Sequence, residues 1–350
     1  MAQFSRNEQR AAGMQWLALD IGGANLKVAD GLGYAKSASF ALWREPDQLA
    51  HELRNLIGQA PPCDRLAVTM TGELADCFEN KTAGVTFILD ATHQAAEGRP
   101  IHVYMSDGSL VTPQVANSRP ALVAAANWHA LACFAARFTN GQPSLLIDVG
   151  STTCDVIPLL DGAPATSHRS DTARLLCGEL VYAGVGRTPV CALVSELPYR
   201  GQRCPIAREL FATTHDVFIL LGLIPEQPMN HDTADGRAAT KVAAEQRMAR
   251  MICADGEEFS SRDAIGAAEA VAGALTQVIV KGLRQVSTAY SFDPALVILS
   301  GQGAFATKNA LEQAGITSTQ LDLADLIGTA AADCAPAHAL ATLAREAAPE

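Results

Sequence analysis

The stretch that decides the fold is WLALDIGGANLKVAD, from Trp16 to Asp30. Its first six residues are apolar apart from one acid, which is typical of a buried strand. Gly22-Gly23 is a turn signal, and the apolar residues resume from Leu26 as a second strand. The stretch therefore predicts a hairpin whose turn is made by adjacent glycines.

The turn of this hairpin carries a set of residues suited to an anion. Asp20 ends the first strand, and Gly22 and Gly23 let backbone amides approach a ligand closely. Asn25 and Lys27 follow as further donors. A phosphate site is one interpretation, and a plain hairpin in which the glycines only relieve strain is the other.

The same pattern occurs a second time, because Asp148 follows Asp20 by 128 positions at the end of another apolar strand. Gly150, Ser151, Thr152 and Thr153 then offer consecutive amides and hydroxyls that suit a phosphate chain. A turn whose hydroxyls bond its own backbone is the alternative. The repetition predicts two related α/β halves.

Two carboxylates, Asp20 and Asp148, end the strands that lead into the two turns. Carboxylate oxygens are preferred ligands of Mg²⁺, which keeps several of its waters and bridges phosphate oxygens. The sequence therefore predicts a magnesium ion held by these two residues, with a phosphorylated ligand between the turns.

Length and patterning divide the chain into two predicted domains, 14–142 and 143–350. The segment from about 166 to 239 is irregular and rich in Arg, Pro and Gly, which indicates an insertion that covers a substrate. An alanine-rich helix is predicted between Ser118 and Thr139.

A formal net charge of −11 on 350 residues disfavours a nucleic-acid-binding protein, which needs a basic face. The first fifteen residues lack the apolar run of a signal peptide, and no stretch shows the ~20 apolar residues of a membrane span. We expect a cytoplasmic protein whose partners are small molecules; assembly into a homo-oligomer stays open.

The two glycine turns and Ser300-Gly301-Gln302-Gly303 resemble the two phosphate motifs and the adenosine motif of the actin, sugar kinase and Hsp70 superfamily. The resemblance implies duplicated ribonuclease H-like domains that flank a central cleft. It also implies ligand contacts at Gly301 and Gly303.

Within that superfamily, Leu19 to Lys27 and Ile147 to Asp155 look most like the hydantoinase A and oxoprolinase family. The segments Thr69 to Phe78, Thr233 to Arg237 and Arg247 to Asp255 are similar to a short branch linked to tetrahydromethanopterin-dependent one-carbon metabolism. That branch implies a transferase of methanofuran biosynthesis. It joins an aminomethylfuran-methyl diphosphate to the phenol of a tyrosine- or tyramine-type substrate and releases pyrophosphate.

The resemblance suggests roles for further residues. Glu73, in a Thr-Gly-Glu segment after a strand, is the candidate general base, with Asp76 as a rival. Lys27 and Asp148 complete the predicted catalytic set. Arg187, Asp235 and Arg237 are candidate substrate contacts; the alternative is that they are surface or turn residues.

Other functions use the same predicted fold. One is an ATP-dependent small-molecule kinase or a hydantoinase- or oxoprolinase-like ATPase, with ATP as the ligand. Another is a nucleotide-binding scaffold without turnover. Ring opening of hydantoin or oxoproline is not favoured, because subunits with that activity are much longer than this chain.

Overall fold

A computed structural model describes residues 14–347 of the protein. The N-terminal segment on which the cytoplasmic location was predicted lies mostly outside this range.

Most strands lie in two sheets. They are β1 (Trp16–Ile21), β2 (Asn25–Ala29), β3 (Ala35–Ser39), β4 (Arg65–Met70), β5 (Ile101–Tyr104), β6 (Leu110–Val111), β7 (Ser144–Val149), β8 (Cys154–Leu160), β9 (Ala163–Pro164), β10 (Leu180–Val181), β11 (Glu196–Tyr199), β12 (Gln202–Pro205), β13 (Leu296–Ser300) and β14 (Thr319–Asp322).

The helices connect and cover these strands. They are α1 (Leu49–Gln59), α2 (Lys81–Ala95), α3 (Pro113–Asn117), α4 (Pro120–Val123), α5 (Asn127–Ala135), α6 (Asp171–Cys177), α7 (Val190–Leu193), α8 (Thr214–Leu220), α9 (Lys241–Arg250), α10 (Ser261–Tyr290), α11 (Thr307–Ala314), α12 (Leu323–Ile327), α13 (Thr329–Asp333) and α14 (Ala335–Ala347). Three short 3₁₀ turns lie at Pro46–Gln48, Ala136–Thr139 and Ala304–Ala306.

The two large sheets repeat one topology. The first has the order β3-β2-β1-β4-β5-β6, in which β1, β4 and β5 are parallel and β2 and β3 run antiparallel to their neighbours. The second has the order β10-β8-β7-β13-β14, with β7, β13 and β14 parallel. The short strand β9 also pairs with β8. Apart from β9 and the edge strand β6, the order in both sheets is third, second, first, fourth and fifth. The predicted duplication is therefore present in the sheets.

The first compact unit comprises residues 14–141, Leu159–Asp171 and 323–347 of the described chain. Side chains alternate across β1. Leu17, Leu19 and Ile21 join a core with α1 and α2, whereas Trp16 and Ala18 pack with residues of α5 and α14. Asp20 continues the second set, so its carboxylate lies on the α5 and α14 face of the sheet.

The second compact unit comprises Gln142–Pro158 and Thr172–Asp322. Its core joins β7, β8 and β13 to helices α8, α9, α10 and α11. Helix α10 is long and apolar enough, by length and composition alone, to cross a membrane. Its buried residues, among them Val271, Leu275 and Ile279, belong to this core, as in the central helix of a globular domain.

The observed units differ from the predicted division in two segments. Sequence analysis assigned everything after residue 142 to a second domain with an insertion from about 166 to 239. In the structure, Leu159–Asp171 and residues 323–347 pack with the first unit. The reason for the second difference is that the apolar face of α14 covers β1, where Leu340 and Ala341 contact the Trp16 side of the sheet.

The alanine-rich helix predicted between Ser118 and Thr139 is interrupted. Helix α4 ends at Val123, Ala125 has a positive φ of 49°, and α5 begins at Asn127. A left-handed residue cannot continue an α-helix, so the break separates the two helices.

Candidate functional site

The first glycine turn exposes backbone amides while its carbonyl groups are occupied. The carbonyls of Gly23 and Ala24 accept hydrogen bonds of 2.9 Å from the amides of Leu42 and Phe40. Among residues 14–347, no acceptor engages the amides of Gly23 or Ala24. A side chain added at Gly23 would meet nothing within 4 Å. This arrangement of donors without acceptors is typical of an anion site.

The second turn is built in the same way. The Gly150 N–H donates to the Thr153 carbonyl at 2.8 Å, as the Gly22 N–H donates to the Asn25 carbonyl at 3.0 Å. The Ser151 carbonyl accepts from the amides of Gly186 at 2.9 Å and Arg187 at 2.8 Å. In the part of the chain that the structure describes, the amides of Ser151 and Thr152 have no acceptor.

A bracing glycine packs against each turn. A Cβ on Gly72 would lie 2.7 Å from a Leu42 methyl carbon and 3.1 Å from the carbonyl carbon of Gly22. A Cβ on Gly184 would lie 2.5 Å from the Gly150 carbonyl oxygen, closer than real Cβ contacts. Glycine at these positions lets a second loop support each turn through its backbone.

Asp20 is buried with one oxygen unengaged. Its side chain is 5% exposed, and Oδ1 has no hydrogen-bond partner among the described residues. Thr69 and Lys27 are its neighbours on the adjacent strands, and the buried Thr69 hydroxyl also lacks a described partner. Burial raises the pKa of Asp20, against the opposing effects of the Lys27 charge and the Asn127 amide.

Glu73 is a second buried acid of the first unit. It is 1% exposed, and its Oε2 has no partner within residues 14–347. Burial raises its pKa to about 7, opposed by the backbone amides of Glu73 and Ala125, while Asp171 adds to the increase. A carboxyl with this pKa can exchange a proton near neutral pH. The rival Asp76 is exposed.

The backbone of Glu73 packs directly against a glycine inside α2. A Cβ on Gly84 would lie 2.0 Å from the Glu73 carbonyl oxygen, so no other residue fits there without movement. Glycine in a helix interior costs about 1 kcal/mol relative to alanine. Its presence at this buried position follows from the close approach of Glu73.

The helix break between α4 and α5 supplies polar groups to the carboxylates of Glu73 and Asp20. The amide of Ala125, at the break, lowers the pKa of Glu73, and the side chain of Asn127, the first residue of α5, lowers that of Asp20. Sequence reasoning missed Asn127 because it predicted a continuous helix here. Its signal was an Asn within an alanine run, a residue type that favours helix starts over helix interiors.

Asp148 has corresponding surroundings in the second unit. It is half-buried, and Ser300 is its partner on β13, as Thr69 is the partner of Asp20. Gly301 has a φ of 83°, and a Cβ there would lie 2.6 Å from Asp148 Oδ1. A Cβ on Gly303 would lie 2.5 Å from a Val149 methyl carbon. Both glycines thus permit close packing on β7, and their substrate contacts stay a prediction.

The predicted substrate contacts of the second unit divide into two groups. Arg187 is tied to the second turn by its backbone amide, and its guanidinium lies 3.8 Å from Asp232. Asp235 instead pairs with Arg237 at 2.6 Å and with the buried Arg247 at 3.0 Å. Burial opposes ionisation of Asp235, but hydrogen bonds from these two arginines outweigh it and hold its pKa below the usual range.

Within the first unit, Asp20, the Gly22–Asn25 turn and Lys27 lie together, and the backbone segment that carries Glu73 adjoins the turn through Gly72. Within the second unit the structure brings together Asp148, the Gly150–Thr153 turn, Arg187, Gly301 and Gly303. Asp235 and Arg237 are held in a separate ionic cluster with Arg247, Arg250 and Asp216. The unengaged oxygen of Asp20 and the nearby Thr69 hydroxyl have the chemistry of a Mg²⁺ site.

The fold is shared with solved structures of low sequence identity. A nucleotide-free acetone carboxylase aligns with a TM-score of 0.54 and 11% identity, covering 94% of this chain and 70% of that chain. An archaeal actin homologue aligns with a TM-score of 0.44 and 12% identity over 95% of this chain and 100% of the other. With the repeated sheet topology, the first alignment confirms the predicted actin, sugar kinase and Hsp70-like fold.

Sequence relatives are more specific. The sequence model of the hydantoinase/oxoprolinase family matches residues 64–346, and the chain belongs to that family. The (4-{4-[2-(gamma-L-glutamylamino)ethyl]phenoxymethyl}furan-2-yl)methanamine synthase of Methanocaldococcus jannaschii is 33% identical over 86% of this chain and 90% of its own length. A synthase of the same name from Methanococcus vannielii is 32% identical over 48% of this chain and 75% of its own.

These relatives confirm the predicted family and the branch related to methanofuran biosynthesis. Because they are named as synthases, the chain is grouped with enzymes, in agreement with the sequence prediction.

Proposed function

We propose that this protein is a transferase that forms an aryl furfuryl ether, the bond between a phenol oxygen and a furan methylene carbon. The name of the relatives describes a product with a phenoxymethyl group on a furan that also carries a methanamine. The substrates proposed here are an aminomethylfuran-methyl diphosphate and a phenol of the tyrosine or tyramine type.

The observation that carries the proposal is the buried Glu73 carboxylate, on the backbone segment that adjoins the first glycine turn. Gly72, which precedes it, donates its N–H to the carbonyl of Ile21 at 3.1 Å, and Ile21 leads into the turn. A base whose pKa is about 7 and an amide-lined anion site thus lie on adjoining backbone segments. Ether formation from a phenol and a diphosphate requires these two elements.

In the proposed reaction, Glu73 removes the proton of the phenol hydroxyl. The oxygen lone pair forms the new bond to the methylene carbon, and the bond from that carbon to the diphosphate oxygen breaks. The diphosphate leaves with the bonding electron pair, and the amides of Gly23 and Ala24 with Lys27 stabilise its charge. The furan ring shares the positive charge that develops at the methylene carbon.

Mg²⁺ is the proposed cofactor. Asp20 would hold it in the first unit and Asp148 is the candidate ligand in the second; a bound ion would neutralise part of the diphosphate charge.

The test is to incubate the full chain with the furan diphosphate, tyramine and Mg²⁺ in the absence of nucleotide. We expect the ether by mass spectrometry together with an equal amount of pyrophosphate. Glu73→Gln should slow the formation of both about 1,000-fold, whereas Asp76→Asn, which changes the exposed rival carboxylate, should not. A strict requirement for ATP would identify a kinase or ligase instead, and no turnover under either condition would favour a nucleotide-binding scaffold.

A further inference from the structure

The loop after β5 buries a serine hydroxyl that has no partner. Ser106 is 0% exposed, and its Oγ forms no hydrogen bond within residues 14–347. Buried hydroxyl groups are nearly always hydrogen-bonded, because leaving one unpaired costs about 1–3 kcal/mol. A buried hydroxyl without a described partner therefore indicates a place where water or a ligand completes the hydrogen bond.

The backbone of Ser106 is fixed at both of its polar groups. Its N–H donates to the Leu122 carbonyl at 2.7 Å, and its carbonyl accepts a hydrogen bond from the Arg169 guanidinium. The next residues form a tight turn in which the Gly108 N–H donates to the Met105 carbonyl at 2.9 Å. These bonds hold the Cα of Ser106 in place.

The loop that carries Ser106 lies beside the loop that carries Glu73. Strands β4 and β5 are parallel neighbours with Val68 opposite Val103. Parallel strands end at the same edge of a sheet, so the loop after β4, which carries Glu73, and the loop after β5, which carries Ser106, begin at the same edge.

One short segment contacts both loops. The Leu122 carbonyl accepts from Ser106, and the Ala125 amide, three residues later, acts on the carboxylate of Glu73. Two buried oxygens without described partners, Ser106 Oγ and Glu73 Oε2, thus belong to loops that contact residues 122–125. One is a carboxylate that can accept a proton, and the other is a hydroxyl that can donate a hydrogen bond.

We propose that Ser106 is a second contact to the phenol oxygen, donating a hydrogen bond to it while Glu73 accepts its proton. This inference rests on the proposed function. The hydroxyl of Ser106 stabilises the negative charge that grows on the oxygen as its proton leaves. It also leaves one lone pair of that oxygen directed at the methylene carbon, so it selects substrates whose nucleophile is a hydroxyl.

The test compares Ser106→Ala with Ser109→Ala in the full chain. Ser109 is a matched control in the same loop, because its hydroxyl already donates to Asp107 at 2.6 Å. With tyramine as the phenol, we expect Ser106→Ala to lower kcat/KM about tenfold, the effect of one lost hydrogen bond to a charged group. Ser109→Ala should leave kcat/KM within about twofold. Pyrophosphate affinity should be unchanged in both.

Thermal stability separates a substrate contact from a structural role. Ser106→Ala removes an unpaired buried hydroxyl, so its melting temperature should equal or exceed that of the wild type. Ser106→Cys, with a weaker donor, should fall between wild type and Ser106→Ala in kcat/KM. A lower melting temperature of Ser106→Ala with unchanged kcat/KM would overturn the inference alone. Absence of ether formation by the wild type would overturn the proposed function and this inference together.

Discussion

The two halves of the molecule use one backbone plan for two different sites. In the first, Gly72 donates its N–H to Ile21 before the glycine turn, and in the second Gly303 donates to Val149 at the same point. The residue after Gly72 is Glu73, whereas the residue after Gly303 is Ala304. The two turns therefore have equivalent backbone contacts, but only the first half has a carboxylate at this position.

A second difference lies in the strand that follows each turn. Lys27 of the first half corresponds to Asp155 of the second, and Asp155 pairs at 2.6 Å with the buried Arg174. The first turn thus has a positive side chain on its own strand. The second has a carboxylate neutralised by an arginine from α6. Duplication preserved the backbone, and individual side chains set the chemistry of each half.

The largest expected effect is on turnover after Glu73→Gln. Loss of a general base lowers rates by ~10²–10⁴, so we expect kcat to fall about 1,000-fold. In the wild type, kcat/KM should rise with pH and level off above about 7, because the base acts only when ionised. This rise of kcat/KM with pH should be absent in Glu73→Gln. Adding Ala304→Glu should not restore activity; recovery would show that the halves are interchangeable.

The same variant should change how stability depends on pH. Burial raises the folded-state pKa of Glu73 from 4.5 to about 7. The stability that the protonated carboxyl contributes to the folded protein is therefore fully present below pH 4.5 and is lost as pH rises through 7. The shift corresponds to about 3 kcal/mol of unfolding free energy. Urea unfolding at pH 5 and pH 8 should show this loss in the wild type and not in Glu73→Gln. An equal loss in both proteins would contradict the burial of an ionisable Glu73.

Substitution of the two strand-end carboxylates, Asp20 and Asp148, should lower activity less than Glu73→Gln does. We expect Asp20→Asn and Asp148→Asn each to lower kcat/KM about 100-fold and to raise the Mg²⁺ concentration that gives half activity. Circular dichroism should show an unchanged fold. An unchanged Mg²⁺ dependence in Asp148→Asn alone would restrict the metal to the first half.

Substitution of the bracing glycines, Gly72 and Gly184, should give the smallest effects. The two variants compare how much each turn contributes to pyrophosphate binding. Gly184→Ala brings a Cβ to 2.5 Å from a backbone oxygen, whereas Gly72→Ala first meets a leucine methyl group at 2.7 Å that can move. We expect pyrophosphate affinity, measured by calorimetry, to fall about 30-fold in Gly184→Ala and a few-fold in Gly72→Ala. An unchanged affinity in Gly184→Ala would show that the first turn binds the diphosphate without the second.

Much of the fold could be predicted from local patterns. The hairpin at Trp16 and its repeat at Ser144 specified the paired turns, because an apolar strand that ends in an acid and a glycine is a local signal. The packing of α14 against the first unit could not be predicted from such local patterns. An apolar face of a helix indicates that it packs against something, without indicating which sheet.

For the candidate site, the sequence indicated Asp20, Lys27, Glu73 and the glycines of both turns. It could not indicate Asn127 or Ser106, since one depends on a left-handed residue at Ala125 and the other on packing of the loop after β5 against Leu122. Nor could it show that Asp235 and Arg237 pair with each other and with α9.

By itself, the sequence determined the backbone chemistry of this protein: two apolar strands, each with an acid at its end and a turn that exposes amides. These features depend on neighbouring residues and on the conformational freedom of glycine. Tertiary structure decided which carboxyl group has a pKa near neutral pH. The pKa of Glu73 reaches about 7 because α2 and the break after α4 exclude water from it, and burial of that kind requires segments distant in sequence.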